Sequence, residues 1–362
     1  MPSASSAVPL FFADGSALLL ADPRAWDTIP GVKKRLKRVL ITAGVLLLAG
    51  FAGLNVLAYL QVRSMTHFTT GGVRTEKPEE LGLGRKIKVL FTGVTLPRPT
   101  ARKSPDQFGL PAPEVWRIPF GESERGLGAW YFPAAATNAA LVILHHGYAA
   151  EMASLLPEAQ VFRELGCAVL LVDFQGSGTS EGSATTIGYT EAEDVAAAFR
   201  YARTRLPGRT CVLFGSSMGA AAILRSIADL GVEPDGIILV AVFDSLLNTV
   251  RNRFAVMGVP SFPSAQLIVF WGGRQWGFNG FAHNPVDYAR RVRCPALVMH
   301  GTDDPRARLA DGRRVFDALP GRKRFIEFAN AGHESYIKTS REEWTKAVAA
   351  FLAEARAPDP AP

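Results

Sequence analysis

The sequence predicts an α/β fold, a mostly parallel sheet flanked by helices, preceded by one N-terminal transmembrane helix. Two patterns predict the sheet and one predicts the anchor. Short apolar runs with strand character fall at residues 140–144, 168–173, 211–214, 237–242, 296–300 and 325–328. Helical patterns lie between or beyond them at 151–165, 191–205, 218–230, 309–319 and 342–355. Strands separated by helices build a parallel sheet covered on both faces. The third observation is residues 39–60, 22 residues without a charge. At about 1.5 Å per residue they can cross a hydrocarbon core of about 30 Å.

Composition agrees with this architecture. The 362 residues suffice for one large α/β unit, and 48% hydrophobic against 20% charged is globular, with an apolar surplus concentrated in the first sixth of the chain. The formal charge of +7 comes from scattered basic residues, clustered only briefly at 33–38, 290–293 and 322–324. With no recognition motif beside them, they do not describe a nucleic-acid binder. Cys167, Cys211 and Cys294 form no Cys-x-x-Cys pair and lie in or beside apolar runs, which reads as buried free thiols. No repeat is evident, and nothing in the sequence reports an oligomeric state.

Within residues 39–60, Gly44, Gly50 and Gly53 lower soluble-helix propensity, and the perimeter is apolar on all sides, which suits lipid better than a protein core. A cleaved signal peptide is the competing reading, but its apolar core is usually only about 7–15 residues long. Lys33, Lys34, Arg35, Lys37 and Arg38 precede the span closely, while Arg63, Arg74 and Lys77 follow sparsely. The positive-inside rule then leaves the N-terminus cytoplasmic and the large domain outside the cytoplasm. The expected organisation is a tail at 1–38, the anchor at 39–60, a linker at 61–84, the α/β domain at 85–356 and a tail at 357–362. The basic run from Val32 also resembles the start of a signal anchor, so translation beginning there is a further expectation. Pro97, Pro99, Pro105, Pro111 and Pro113 mark a loop that wraps the domain.

Chemistry concentrates in Gly215-Ser216-Ser217-Met218-Gly219, between the apolar run 211–214 and a helix opening with Ala220, Ala221 and Ala222. A tight strand-to-helix turn presents its middle serine and needs small flanking residues, so Ser217 is the expected nucleophile. A serine hydroxyl requires a base, and the base a carboxylate that fixes its tautomer. Of six histidines, His67 lies beside the anchor, His145, His146 and His300 end strands, and His283 sits in a segment between strands. His333, in the loop after the run 325–328, remains as the base. The acid should follow an intervening strand, where Asp303 and Asp304 stand together, with Asp244 a third possibility. Backbone amides of Met218 and Tyr148 fit an oxyanion hole. A metal shared by His145 and His146 conflicts with their alternation along a strand. The chemistry expected of these residues requires no metal or cofactor.

From about residue 112 to 355 the chain resembles the α/β-hydrolase superfamily. The likeness rests on the serine turn, on Asp173-Phe174-Gln175-Gly176-Ser177-Gly178-Thr179-Ser180, on Pro295 to Gly301 and on Ala331-Gly332-His333. Membrane-anchored esterase, lipase or serine-aminopeptidase-like members are the most similar. Gln175 stands where the family frequently has arginine, a departure that bears on a local contact and not on the triad. The resemblance implies an α/β-hydrolase fold and a small helical cap at 243–292, whose Phe254, Phe262, Phe270, Trp271, Trp276, Phe278 and Phe281 either pack on the domain or line an apolar acyl pocket. In related hydrolases the acid stands three residues after the glycine ending its strand, and counting from Gly301 selects Asp304. The resulting expectation is a serine hydrolase of esters or similar acyl bonds, acting on a small-molecule or lipid-like substrate. The alternatives are a small-peptide serine peptidase and a catalytically inactive, membrane-tethered binding protein.

Overall fold

The structure, a computed structural model, describes residues 32–77, 79–121 and 123–356. Most of the expected N-terminal tail, residues 1–31, and the C-terminal tail 357–362 lie outside the described residues. By its internal contacts the chain divides into Met1–Asn55 and Val56–Pro362. The first unit contributes most of helix α1, Val32–Thr66, which runs past the expected residue 60. Leu46, Leu47 and Leu48 are 66–74% exposed, a surface suited to lipid and not to water.

The second unit holds the last turns of α1, helix α2 (Leu83–Thr92) and an eight-stranded sheet with its helices. In chain order these are β1 (Glu114–Phe120), β2 (Ser123–Phe132), β3 (Leu141–His145), α3 (Leu156–Glu164), β4 (Ala168–Val172), α4 (Glu191–Arg205), β5 (Cys211–Ser216), α5 (Met218–Leu230) and β6 (Gly236–Val240). They continue with α6 (Leu246–Met257), α7 (Ser264–Trp276), α8 (Pro285–Ala289), β7 (Ala296–Gly301), α9 (Leu309–Ala318), β8 (Lys323–Phe328) and α10 (Ile337–Arg356). The sheet order is β1-β2-β4-β3-β5-β6-β7-β8. Strands β3 to β8 pair in parallel, whereas β1 and β2 are antiparallel to each other and β2 to β4.

The apolar runs read as strands because β3, β4 and β6 are buried along their whole length. Side-chain alternation splits them between two cores. Ile143, Leu170, Leu213 and Val298 pack with Val195, Phe199, Ile223 and Val315 on one face. Val142, Val169, Phe214 and Leu297 pack with Phe162, Trp344, Val348 and Phe351 on the other. The hairpin β1–β2 is absent from the expected strands. Strand β1 is largely exposed and contains Pro119, and β2 carries Gly126 and Gly128, so neither shows a continuous apolar run.

The departure at Gln175 has a structural counterpart. Gln175 N and Nε2 donate to the buried Asp194 at 2.9 and 3.0 Å. Because this partner is neutral, burial dominates and pushes the Asp194 carboxyl up to about 8, against the pull of the two Gln175 hydrogen bonds. Between roughly pH 4 and pH 8 the folded chain keeps a proton that the unfolded chain releases, so this group removes stability as pH rises. Asp194→Asn is expected to flatten that fall by more than ~1 kcal/mol, since a tenfold difference in proton affinity between the folded and unfolded chain corresponds to about 1.4 kcal/mol. Thermal unfolding of both proteins across the window checks it, and parallel curves would refute it.

Candidate active site

The turn from β5 into α5 holds Ser217 at φ 51° and ψ −106°, a conformation that costs a non-glycine residue roughly 1–3 kcal/mol. The Ser217 amide donates to Val240 O at 2.7 Å, which ties the strained residue to the neighbouring strand β6. Gly219 is required by close approach: a Cβ there would lie 2.4 Å from the His145 carbonyl oxygen. The serine is thereby lifted above the C-terminal edge of the sheet, and Met218 becomes the first residue of α5, where an amide has no intrahelical acceptor. Thr185 Oγ1, which donates to the buried Glu191 Oε1 at 2.6 Å, touches Met218 Sδ at 3.3 Å. Nothing in the sequence announces this support for Met218, because the threonine and glutamate belong to a loop and helix start with no motif of their own.

His333 and Asp304 meet at the same edge. His333 Nδ1 lies 2.6 Å from Asp304 Oδ2, with the Asp304 side chain fully buried and the imidazole 17% exposed. Burial works to raise the Asp304 carboxyl, but the His333 hydrogen bond and charge, with the amides of Ala307 and Arg306, outweigh it and hold the group below its usual range. Those amides donate to Oδ1 at 3.0 and 2.8 Å, so the carboxylate is fixed from both oxygens. The two loops are stitched together: Gly301 N donates to Tyr336 Oη at 2.8 Å, Asp303 N to Ala331 O at 3.0 Å and Asn330 N to Thr302 Oγ1 at 2.9 Å. With Nδ1–H committed to Asp304, Nε2 is left to accept a proton. The Ser217 hydroxyl makes no hydrogen bond to this ring, and such contacts often tighten only around substrate.

The other acids are engaged elsewhere. Asp303 is exposed, and Asp244 is buried against Arg314 Nε at 2.7 Å and Asn248 Nδ2 at 2.9 Å. Among the histidines, His146 bonds Gly147 O through Nδ1 and Phe174 N through Nε2, and His300 bonds Ala307 O at 2.7 Å. Burial lowers His145 to about 3 and His283 to about 4, so both are neutral. Among the described residues no three His, Cys, Asp or Glu side chains are grouped to hold a metal. Gly147, which precedes Tyr148, lies close to Ser217, since a Cβ on it would be 3.8 Å from Ser217 Cβ.

The segment after α1 reaches the loops around the site. The Tyr148 hydroxyl donates to Met65 O, Arg74 Nη1 donates to Ala149 O at 2.9 Å, and Arg306 pairs with Glu79. Burial raises the Tyr148 hydroxyl to about 12, so it remains a donor. Helices α6 to α8 form the segment expected as a cap. Of its aromatic residues, Trp271 packs on Tyr59, Trp276 on His67 and Phe278 on Tyr189, and Phe254 joins Leu246, Val250 and Val269. Phe262, Phe270 and Phe281 are exposed, so this set is divided between packing and open surface.

A strained serine on a strand-to-helix turn, at the same sheet edge as a paired acid and histidine, defines a class of protein. The chain has the α/β-hydrolase fold. A family model described as serine aminopeptidase, S33, matches residues 136–257, which include Ser217 and end before Asp304 and His333. The chain is 24% identical over 239 residues to a lysophosphatidylserine lipase of Danio rerio, covering 60% of each. It is 24% identical over 210 residues to the Mus musculus lipase of that name, covering 55% of this chain and 50% of the relative. The chain thus spans about half to three-fifths of these curated relatives. An esterase of Pyrococcus furiosus superposes with a TM-score of 0.58 at 21% identity, covering 71% of this chain and 96% of the esterase.

Proposed function

We propose that this chain is a membrane-anchored serine hydrolase that cleaves esters of lipid-like acyl groups. The observation that carries the reading is the 2.6 Å contact of His333 Nδ1 with Asp304 at the sheet edge that presents strained Ser217. In the proposed reaction Ser217 Oγ attacks the acyl carbonyl while His333 Nε2 takes its proton, and the Met218 and Tyr148 amides hold the oxyanion. The imidazolium returns the proton to the leaving alcohol, and a water activated by His333 releases the acid. The lipid-like substrate is supported by likeness to lysophosphatidylserine lipases and by the long apolar helix α1. A peptidase is the second reading, favoured by the description of the matching family model. Fluorophosphonate labelling, then turnover of acyl esters against peptide amides, tests both: labelling without ester turnover favours the peptidase, and no labelling refutes both.

We also propose that residues 39–60 span the membrane with the N-terminus cytoplasmic, supported by the basic run 33–38. Protease added outside cells with a permeabilised outer barrier is expected to digest the domain after residue 60. Protection of that domain would place it in the cytoplasm.

A further inference from the structure

Helix α2 shows the wrong face for a helix on a water-soluble surface. Leu83, Ile87 and Phe91 are spaced four apart and form one stripe, yet they are 76, 50 and 65% exposed, and none of the residues of α2 is buried. The body is met by other groups. Lys86 Nζ donates to Val256 O at 3.1 Å, and the Val89 and Leu90 carbonyls accept from Gln61 Nε2 at 2.6 and 2.7 Å.

Gln61 directly follows the apolar segment 39–60, so α2 is tied to α1 at the level where that segment ends. Aromatic residues gather at the same level. The Tyr59 ring meets Trp271 edge to face at 5.5 Å, and Tyr59 O accepts from Gln275 Nε2 at 2.9 Å. Phe270, 44% exposed, leans on Trp271 at 5.2 Å. Tyrosine and tryptophan concentrate where headgroups meet acyl chains. On the flank of the α2 stripe, Lys88 is exposed, and Arg85 is exposed while paired with Glu76 at 2.6 Å. Apolar side chains on one arc with basic ones beside them match a helix lying in an anionic membrane interface.

We infer that α2, with Phe270 of α7, is an interfacial surface lying on the membrane that α1 crosses. Leu83, Ile87 and Phe91 enter the acyl boundary, and Arg85 and Lys88 face anionic headgroups. The inference rests on the reading of residues 39–60 as a span, and the experiment separates the two. The full chain is reconstituted into phosphatidylcholine–phosphatidylglycerol vesicles with a nitroxide at Leu47→Cys, Ile87→Cys, Phe91→Cys, Lys88→Cys or Thr92→Cys. The labelled parent chain reports background from Cys294, since Cys167 and Cys211 are buried. Collision rates with oxygen, which partitions into lipid, and with a water-soluble nickel chelate are then compared. The oxygen-to-nickel ratio at residues 87 and 91 is expected to exceed that at 88 and 92 by about threefold or more, with residue 47 higher still. A lipid signature at residue 47 with nickel access at 87 and 91 equal to that at 88 overturns the inference and leaves the span standing. Exclusion of both reagents at 87 and 91 also overturns it, because the stripe is then covered by protein. Nickel access at residue 47 overturns the span and the inference together.

Discussion

Ser217→Ala is expected to abolish covalent labelling by a fluorophosphonate and to lower ester turnover on the order of 10⁶-fold, leaving what oxyanion stabilisation and binding alone provide. Ser216→Ala should keep its labelling. The two hydroxyls are neighbours in sequence, but Ser216 is the last residue of β5 and only Ser217 occupies the left-handed turn. The substitution removes one oxygen and leaves the amide bond to Val240 O in place, so unfolding should be unchanged. Persistent labelling of Ser217→Ala would sink the assignment.

Asp304→Asn is expected to lower turnover by about 10⁴-fold, because an amide opposite Nδ1 no longer enforces the tautomer that leaves Nε2 as base and no longer supports the imidazolium. Asp304 Oδ1 also accepts two backbone amides, so the asparagine is free to present its carbonyl to them and its NH₂ group to the ring, the arrangement that defeats catalysis. Asp303→Asn should be near normal, since that side chain is exposed. Asp244→Asn should show itself in thermal unfolding, because Asp244 holds Arg314 and Asn248. Near-normal turnover by a stably folded Asp304→Asn would transfer the acid role elsewhere.

What can be read from the sequence follows from how strongly each element is buried. Strands enclosed on both faces announce themselves as apolar runs, and the elbow announces itself because its glycine has no steric alternative beside His145. The adjacency of Asp303 and Asp304 leaves their side-chain directions open, and only the spacing from Gly301 separates them. Helix α2 reads in the sequence as the end of a linker and the start of the domain, since ten residues with three basic ones resemble a solvated segment. The bonds from Met65, Arg74 and Glu79 cross 83, 75 and 227 positions of sequence, and no local periodicity encodes such distances.

Those three bonds bear on shedding. In the proposed anchored enzyme, a protease cutting between residues 66 and 73 would free the body from its tether, but it would also detach Met65 from the Tyr148 hydroxyl and loosen the stretch that holds Arg74 against Ala149 and Glu79 against Arg306. Release and disarming would then be one event, and a secreted form cut at that place would carry unsupported loops at its centre. A water-soluble version that keeps them braced has to retain the last turns of α1, including the Tyr59 ring and the Gln61 amide that hold α7 and α2. In the proposed anchored enzyme α1 therefore serves twice: its apolar residues hold the membrane, and its last turns brace the loops around Ser217.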